Sequence, residues 1–403
     1  MTAIKFQNTK SLSTQRINLI LWTILLLYPL LGMGIDLIAP SLPAISHDLG
    51  ISNAISKNLI ALYLIGYAAG NFLIGFLSDA LGRRKLLMVS LFVFTLTSLL
   101  PIFLPTTMTL LISRLLQGFS LAGFGVIARA SVADLLTADK LKQVAVLTAT
   151  MWGIGPIVGP FIGGYLQYYF GWQACFYFFS LYSFLGLAAC IFIVPETHHN
   201  RQPFNLQQIK LNFITITSHP LFMGMVIIMG TNYSLLIVFN ALGPFLIQNS
   251  LGFSPLYFGH IALYMGLAFL IGTYVCRRLI KVFQPEKIIF SGIGIFLLVA
   301  AMGVILAYVA GKNMTVVVIP SLLLYFACGI LYPASMARGL AIFQHLAGSS
   351  AAVMNLLNLL ITSLTAFAMS LINPTTALPM ACIYLVLLLF CALAYWLLVH
   401  KNA

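Results

Sequence analysis

Along the whole length of this chain, apolar runs of about 20 residues recur with hardly a charge inside them. That is the length a helix needs to cross the ~30 Å hydrocarbon layer of a bilayer. In lipid each backbone N–H and C=O must find its partner within the segment, so such runs become helices. They fall at about residues 17 to 42, 56 to 77, 86 to 105, 109 to 132, 143 to 166 and 172 to 194. They recur at about 219 to 245, 256 to 276, 288 to 309, 314 to 336, 346 to 371 and 378 to 399. Only 27 of the 403 residues are charged (20 Lys and Arg plus 7 Asp and Glu), too few for the surface of a soluble protein of this size. The expected fold is all-α, with twelve transmembrane helices.

The basic residues supply an orientation. With the N-terminus in the cytoplasm, sixteen Lys and Arg fall on cytoplasmic segments, Arg83, Arg84, Lys85, Arg277 and Arg278 among them, while only Lys57 and Lys312 fall in outer loops. A bias of that size is the positive-inside signal. It predicts a multi-pass protein of the inner membrane with both termini cytoplasmic. The net charge of +13 is spread over loops that face anionic lipid, with no basic stripe or motif for nucleic acid. The first apolar stretch is longer than a signal-peptide core and lacks a small-residue cleavage site, so it reads as a retained helix. Six cysteines without CxxC spacing lie in apolar stretches and read as packing residues.

Six spans precede the polar interval from Pro195 to Ser218 and six follow it. The chain therefore divides into an N-terminal six-helix bundle (1–194), a cytoplasmic linker (195–218) and a C-terminal six-helix bundle (219–403). Within the linker, Leu206, Ile209 and Phe213 recur at helical spacing among polar residues and predict a short helix on the membrane surface.

Against this background, two charges inside apolar spans stand out: Asp36 in the first and Arg114 in the fourth. An ionisable group at membrane depth is costly and normally lines a cavity. Asp36 lies seven residues before Pro43, about 10 Å along a helix, and Arg114 lies five residues after Thr109, about 8 Å, so the two are expected at similar depth in the outer half. Asp36 is the leading proton or cationic-substrate site, with Arg114 as its electrostatic partner and coupling switch. Gln117, three residues from Arg114, can share its face and orient it or touch substrate. Arg129 and Asp134, near the inner end of the same span, are expected in an intracellular gate or anchor.

Three ordered motifs carry a family resemblance. Gly75-Phe76-Leu77-Ser78-Asp79-Ala80-Leu81-Gly82-Arg83-Arg84-Lys85 follows the second span, Arg114-Leu115-Leu116-Gln117-Gly118 lies in the fourth, and Gly155-Pro156-Ile157-Val158-Gly159-Pro160-Phe161-Ile162-Gly163-Gly164 lies in the fifth. In these the chain resembles the major facilitator superfamily. The resemblance implies two six-helix bundles, a charge latch at Asp79, Arg83 and Arg84, an arginine linked to proton coupling at Arg114, and the fifth-span motif of antiporters with Gly159 and Pro160 in the moving helix. At the matching place in the second half, Cys276 stands where the first copy has Asp79, which weakens the latch there. Gly34-Ile35-Asp36-Leu37-Ile38-Ala39-Pro40-Ser41-Leu42-Pro43 and Arg129-Ala130-Ser131-Val132-Ala133-Asp134-Leu135 further resemble the Bcr/CflA drug-resistance branch, which implies proton-driven export of antibiotics and other small compounds.

Candidate pocket walls are the polar and aromatic residues at membrane depth: Tyr28, Tyr63, Tyr67, Asn232, Tyr233, Phe239, Asn240, Tyr325, Asn355 and Asn358. Aromatic rings give broad apolar contact with a polar handle. No nucleotide fingerprint, compact metal-ligand set or nucleophilic triad occurs, so neither enzyme nor cofactor is expected and the proton gradient is the energy source. The expected partners are a small organic substrate, protons and membrane lipids, with the chain acting as a monomer. Export of a native metabolite or siderophore, with incidental drug efflux, is the alternative.

Overall fold

The computed structural model describes residues 13–197 and 206–401; for residues 76, 79, 80, 138, 142 and 206 it describes the backbone alone. Lys5, Lys10 and residues 198–205 of the polar stretch between the halves, Arg201 among them, lie outside the described residues.

Twelve helices among the described residues are long and apolar enough to cross a bilayer. The spanning helices of the first half are α1 (Thr14–Asp36), α3 (Asn53–Leu81), α4 (Arg83–Phe103), α5 (Thr107–Leu135), α6 (Ala138–Phe170) and α7 (Gln173–Ile193). Those of the second are α9 (Pro220–Pro244), α10 (Pro255–Leu279), α11 (Pro285–Val309), α12 (Met314–Ile342), α13 (Ala347–Ser370) and α14 (Leu378–Ala394). Two short helices complete the set: α2 (Leu42–Asp48) and α8 (Leu206–Thr217). The chain is a multi-pass, all-α membrane protein. Inner and outer below follow the orientation expected from the basic residues.

Local sequence explains where the helices start. Ser13, Ser52 and Ser254 each accept a hydrogen bond from a backbone N–H in the first turn of α1, α3 and α10, and Thr106 with Thr109 forms a capping box at α5. Gly82, at φ +95°, makes the sharp inner turn from α3 to α4, a backbone state that a side chain would strain. The first span differs from its sequence expectation. Instead of one helix to residue 42, α1 stops at Asp36, a 3-10 turn covers Ala39–Ser41, and α2 follows. Pro40 and Pro43 each fall in the first turn of the new short helix, where a missing N–H is harmless but continuation of the preceding α-helix is not possible. The break places Asp36 at a helix end buried within the protein.

Within the first six spans, α1 packs on α6 and α7, α3 on α5, and α4 on α5 and α7; within the last six, α9 packs on α12, α13 and α14, and α10 and α11 on α12. Two seams join the sets: α3 with α13 and α6 with α10. Close approach at α1 and α6 depends on the fifth-span glycines, because a Cβ at Gly163 would collide with the Leu37 carbonyl. Helix α9 is buried along almost its whole length, which accounts for a sequence apolar on every face. The surface helix expected from Leu206, Ile209 and Phe213 is α8. It docks rather than floats: Asn212 donates to Ser349 Oγ at 3.2 Å, Phe213 meets Phe72 edge-on, and Ile216 is buried.

The outer ends of the two sets are tied together. Gln248 donates to the Pro40 carbonyl at 2.9 Å and Ser363 donates to the Ala61 carbonyl at 3.1 Å. Lys57 corrects its sequence assignment to an outer loop. It lies in α3, is wholly buried, and its ammonium donates to the Ile372 carbonyl and to Asn373 Oδ1 while lying 4.8 Å over the Phe245 ring. A cation set at the C-terminal end of α13 meets the negative end of that helix and its unpaired carbonyls.

Candidate functional site

Asp36 and Arg114 sit at one depth, as the helix arithmetic requires, yet they are not an ion pair. Arg114 Nη2 donates to the Gly34 carbonyl at 2.9 Å, two residues from Asp36. Its Nε donates to the Leu59 carbonyl at 3.2 Å and its Nη1 to Gln117 Oε1 at 3.0 Å, and the guanidinium lies 4.3 Å over the Tyr63 ring. Three acceptors and an aromatic face compensate a wholly buried cation. Arg114 and Asp36 are electrostatic neighbours without direct contact, because two helix backbones already offer carbonyls where the fork of donors arrives.

Among the described residues the carboxyl of Asp36, a residue only 3% exposed, has one hydrogen-bond partner, the neutral amide of Asn240, which donates to Oδ1 at 2.7 Å. Asn240 belongs to α9, so this contact crosses from the first six helices to the last six. Tyr325, on α12, donates to the Leu236 carbonyl at 3.1 Å and reaches Asn240 Oδ1 at 3.5 Å. Asp36, Asn240, Tyr233 and Tyr325 line one cavity with Trp152, Pro156, Pro160 and Phe269. Its volume is about 30 Å³, room for a water molecule or two and not for an organic compound.

The other candidates divide by what they touch. Tyr63 lies under Arg114 and stacks on Tyr67 at 5.9 Å. Gln117 turns away from the cavity and donates to Ser98 Oγ on α4 at 3.0 Å while holding Arg114. Asn232 donates to the Ile228 carbonyl and faces Cys391 on α14, and Phe239 stacks on Phe258 of α10 at 5.5 Å; neither lines the Asp36 cavity. Asn355 is half-buried and Asn358 buried on α13, next to Tyr332. Pro160 lines the cavity, and Gly159 lies against Met33 of α1.

At the inner end, Arg83 Nη1 pairs with Asp134 Oδ2 at 2.7 Å, tying the start of α4 to the end of α5. The side chain of Asp79 lies outside the described residues. Glu196, not singled out from sequence, accepts from the backbone N–H groups of Arg83 and Arg84 at 3.0 and 3.2 Å, an acid on the positive end of α4. Arg84 donates to the Ile191 carbonyl at 2.8 Å. The second half carries a counterpart with the charges exchanged: Glu286 at the start of α11 pairs with Arg338 at the end of α12. Sequence comparison at Cys276 missed it because the acid sits on the next helix. The scarcity of acids was the available signal, for both Glu196 and Glu286 belong to a set of seven.

Twelve spans, two inner clasps in corresponding places and a charge contact across the centre describe a two-part transporter scaffold. The sequence profile of the Major Facilitator Superfamily matches residues 24–366. The chain belongs to the Major Facilitator Superfamily. Among its relatives, an uncharacterized MFS-type transporter, YdgK of Bacillus subtilis, is 27% identical over 375 residues, 92% of each chain. A bicyclomycin resistance protein homolog of Haemophilus influenzae is 32% identical over 185 residues, covering 45% of this chain and 46% of that one. Among solved structures, a D-xylose-proton symporter superposes with a TM-score of 0.72 at 14% identity, covering 96% of this chain and 98% of that one, a likeness of fold alone. This superfamily member is a membrane transporter of small organic molecules.

Proposed function

We propose that the protein is a proton-coupled antiporter that exports small organic compounds, antibiotics among them, across the bacterial inner membrane by alternating access, and that it belongs to the Bcr/CflA-like branch. What carries the reading is Asp36: a buried carboxyl whose one partner is a neutral amide from the opposite set of helices. In this reading residues 1–194 and 219–403 are the two moving bundles, 195–218 is their cytoplasmic linker, and both termini are cytoplasmic. The antiporter-type motif Gly155 to Gly164, which packs α6 on α1 and on α10, and the partial similarity to a bicyclomycin resistance homolog support the direction and the substrate class.

The tied outer ends correspond to a state closed to the outside. There the carboxylate has delivered its proton inward and rests on Asn240. A charge-assisted hydrogen bond is about twice as strong as a neutral one. Protonation therefore loosens the contact between bundles that the carboxylate holds. A substrate arriving from inside competes for Asp36, the outer seam opens, and a proton from outside replaces the substrate. Arg114 fixes the depth and field of the site without moving.

The test is flux in proteoliposomes with an imposed pH gradient and a panel of antibiotics. Efflux should follow the gradient and stop in Asp36→Asn. Full gradient-driven export by that variant would overturn the assignment of Asp36.

A further inference from the structure

A second cavity, of about 890 Å³, lies within the last six helices and shares no lining residue with the Asp36 cavity. That volume is near the top of the ~300–1,000 Å³ range of ligand pockets. Its walls come from α10, α11, α12 and the turn of helix that continues α14, so it does not lie on a path between the two sets of helices. The two ends of this groove differ in chemistry. At the inner end stand Glu286, Lys287 and His400, with Ser291 one turn further along α11. Beyond Ser291 every lining residue of α11 and α12 is apolar, Phe296, Val299, Phe326 and Ile330 among them. Ile295 and Leu323, both exposed, mark the open side, which faces hydrocarbon where the helices cross the bilayer.

The polar groups of the rim are not equally engaged. Glu286 pairs with Arg338, Tyr395 donates to the Glu286 carbonyl at 3.3 Å, and Ser291 donates to the Lys287 carbonyl at 2.7 Å. The Lys287 ammonium and the His400 ring, by contrast, have no hydrogen bond or ion pair among the described residues. Arg129, near the inner end of the first six helices, differs: its guanidinium donates to the Gly125 carbonyl at 3.3 Å and to Asn71 Oδ1 at 3.5 Å. The acid of the rim is thus already neutralised, and one positive charge beside a ring nitrogen is left without a counter-charge. The length of the groove fits the bilayer as well. Val299 lies twelve residues after Lys287, about 18 Å by helix rise, close to the ~15 Å of one leaflet of hydrocarbon.

We propose that this groove holds one anionic glycerophospholipid of the inner leaflet. The phosphate accepts from the Lys287 ammonium and from the His400 ring, and the acyl chains run along α11 against Phe296, Val299, Phe326 and Ile330 toward the bilayer centre. Basic pockets between spanning helices on the cytoplasmic side select anionic headgroups. A zwitterionic head would bring an ammonium of its own beside Lys287, whereas an anionic head supplies only the missing negative charge. The site is independent of the coupling reading and stands even if Asp36→Asn exports at full rate.

Native mass spectrometry of the full-length protein in an uncharged detergent, titrated with phosphatidylglycerol or with phosphatidylcholine of the same acyl chains, tests the site. The wild type should hold one phosphatidylglycerol about fivefold more tightly than phosphatidylcholine, the scale of one surface cation meeting an anionic head. Lys287→Gln should remove the preference with phosphatidylcholine binding unchanged, and Lys287→Arg should keep it. Ile295→Trp, on the exposed wall, should weaken binding of both lipids by filling the groove. Lys281→Gln, in the turn between α10 and α11 but outside the groove, should change neither. Equal binding of the two lipids by the wild type overturns the site, as does a preference that survives Lys287→Gln or falls as far in Lys281→Gln. Undiminished binding by Ile295→Trp, or displacement of the lipid by excess inorganic phosphate, overturns the groove as the seat of the chains.

Discussion

Arg114 and Asp36 are both buried, both charged and at the same depth, yet the protein treats them in opposite ways. The guanidinium is held by two backbone carbonyls, a glutamine that is itself anchored on Ser98, and the face of Tyr63. The carboxyl is held by a single amide from across the bundle interface. All partners of Arg114 belong to the first six helices, whereas the one partner of Asp36 does not. A charge saturated within one set of six helices is a strut; under the proposed mechanism, a charge whose contact reaches the other set changes partners as the sets move. Position in the membrane does not separate these roles, and the completeness of hydrogen bonding does.

The comparison breaks most visibly if Arg114 is removed. Arg114→Leu leaves the Gln117 amide oxygen and the Tyr63 face without their cation inside a packed interface, and the buried chain of contacts to Ser98 loses its end. A loss of about 3 kcal/mol is expected, read as a large fall in the amount of monodisperse protein and in its melting temperature in detergent. Normal yield and unaltered melting in Arg114→Leu would show that the guanidinium is not a strut. Arg114→Lys should recover part of the stability, since a single ammonium replaces the three-way fork.

Asp36→Asn should do the reverse. An amide of the same shape still meets Asn240 after rotation, so melting is expected to shift little, while gradient-driven flux falls by more than about tenfold. If instead stability collapses together with flux, Asp36 is a structural acid and its contrast with Arg114 disappears.

Lys57 supplies a third kind of buried charge, one that ties α3 to the end of α13. Removing its ammonium in Lys57→Met keeps the apolar stem and leaves the Ile372 carbonyl short of a donor. The expected effect is a loss of about 1–2 kcal/mol from the outer-closed arrangement alone. Cysteines introduced at Ser52 and Thr375 and labelled in membranes would report it as faster outer-side modification. Unchanged labelling would mean that Gln248 and Ser363 hold the outer seam without Lys57.

Much of this was legible in the sequence because bilayer thickness is a hard ruler. Run lengths set twelve spans, basic loops set an orientation, and a 1.5 Å rise placed Asp36 level with Arg114 before any contact was visible. What stayed hidden depended on pairing across distance. Helical periodicity cannot show that Gln117 faces Ser98, that Asn232 faces Cys391, or that Lys57, which reads as an outer-loop charge, is buried under the end of α13. Proline explains the break after Asp36, yet the run of apolar residues across it concealed the helix end. Asn240 was visible only as one polar residue among several in the seventh span; its contact with Asp36 is a property of two bundles meeting.

The smallest expected effect lies at the inner clasps, where the two halves hold the same link with opposite polarity. Arg83 and Asp134 have side chains 10% and 24% exposed, while Arg338 and Glu286 are 30% and 19% exposed. Partly hydrated pairs of this kind contribute about 1 kcal/mol or less. Glu196 adds further contacts to the first clasp alone, at the N-terminus of α4. Arg338→Glu places two carboxylates together at the ends of α11 and α12 and should lower the melting temperature slightly. The double change Glu286→Arg with Arg338→Glu restores attraction, now in the same polarity as the first half, and should return most of the loss. Rescue of stability with flux intact means that the clasp works as a charge pair irrespective of sign. Failure of the double variant to recover would show that the surroundings read the polarity, with Arg338 or Glu286 serving contacts beyond each other.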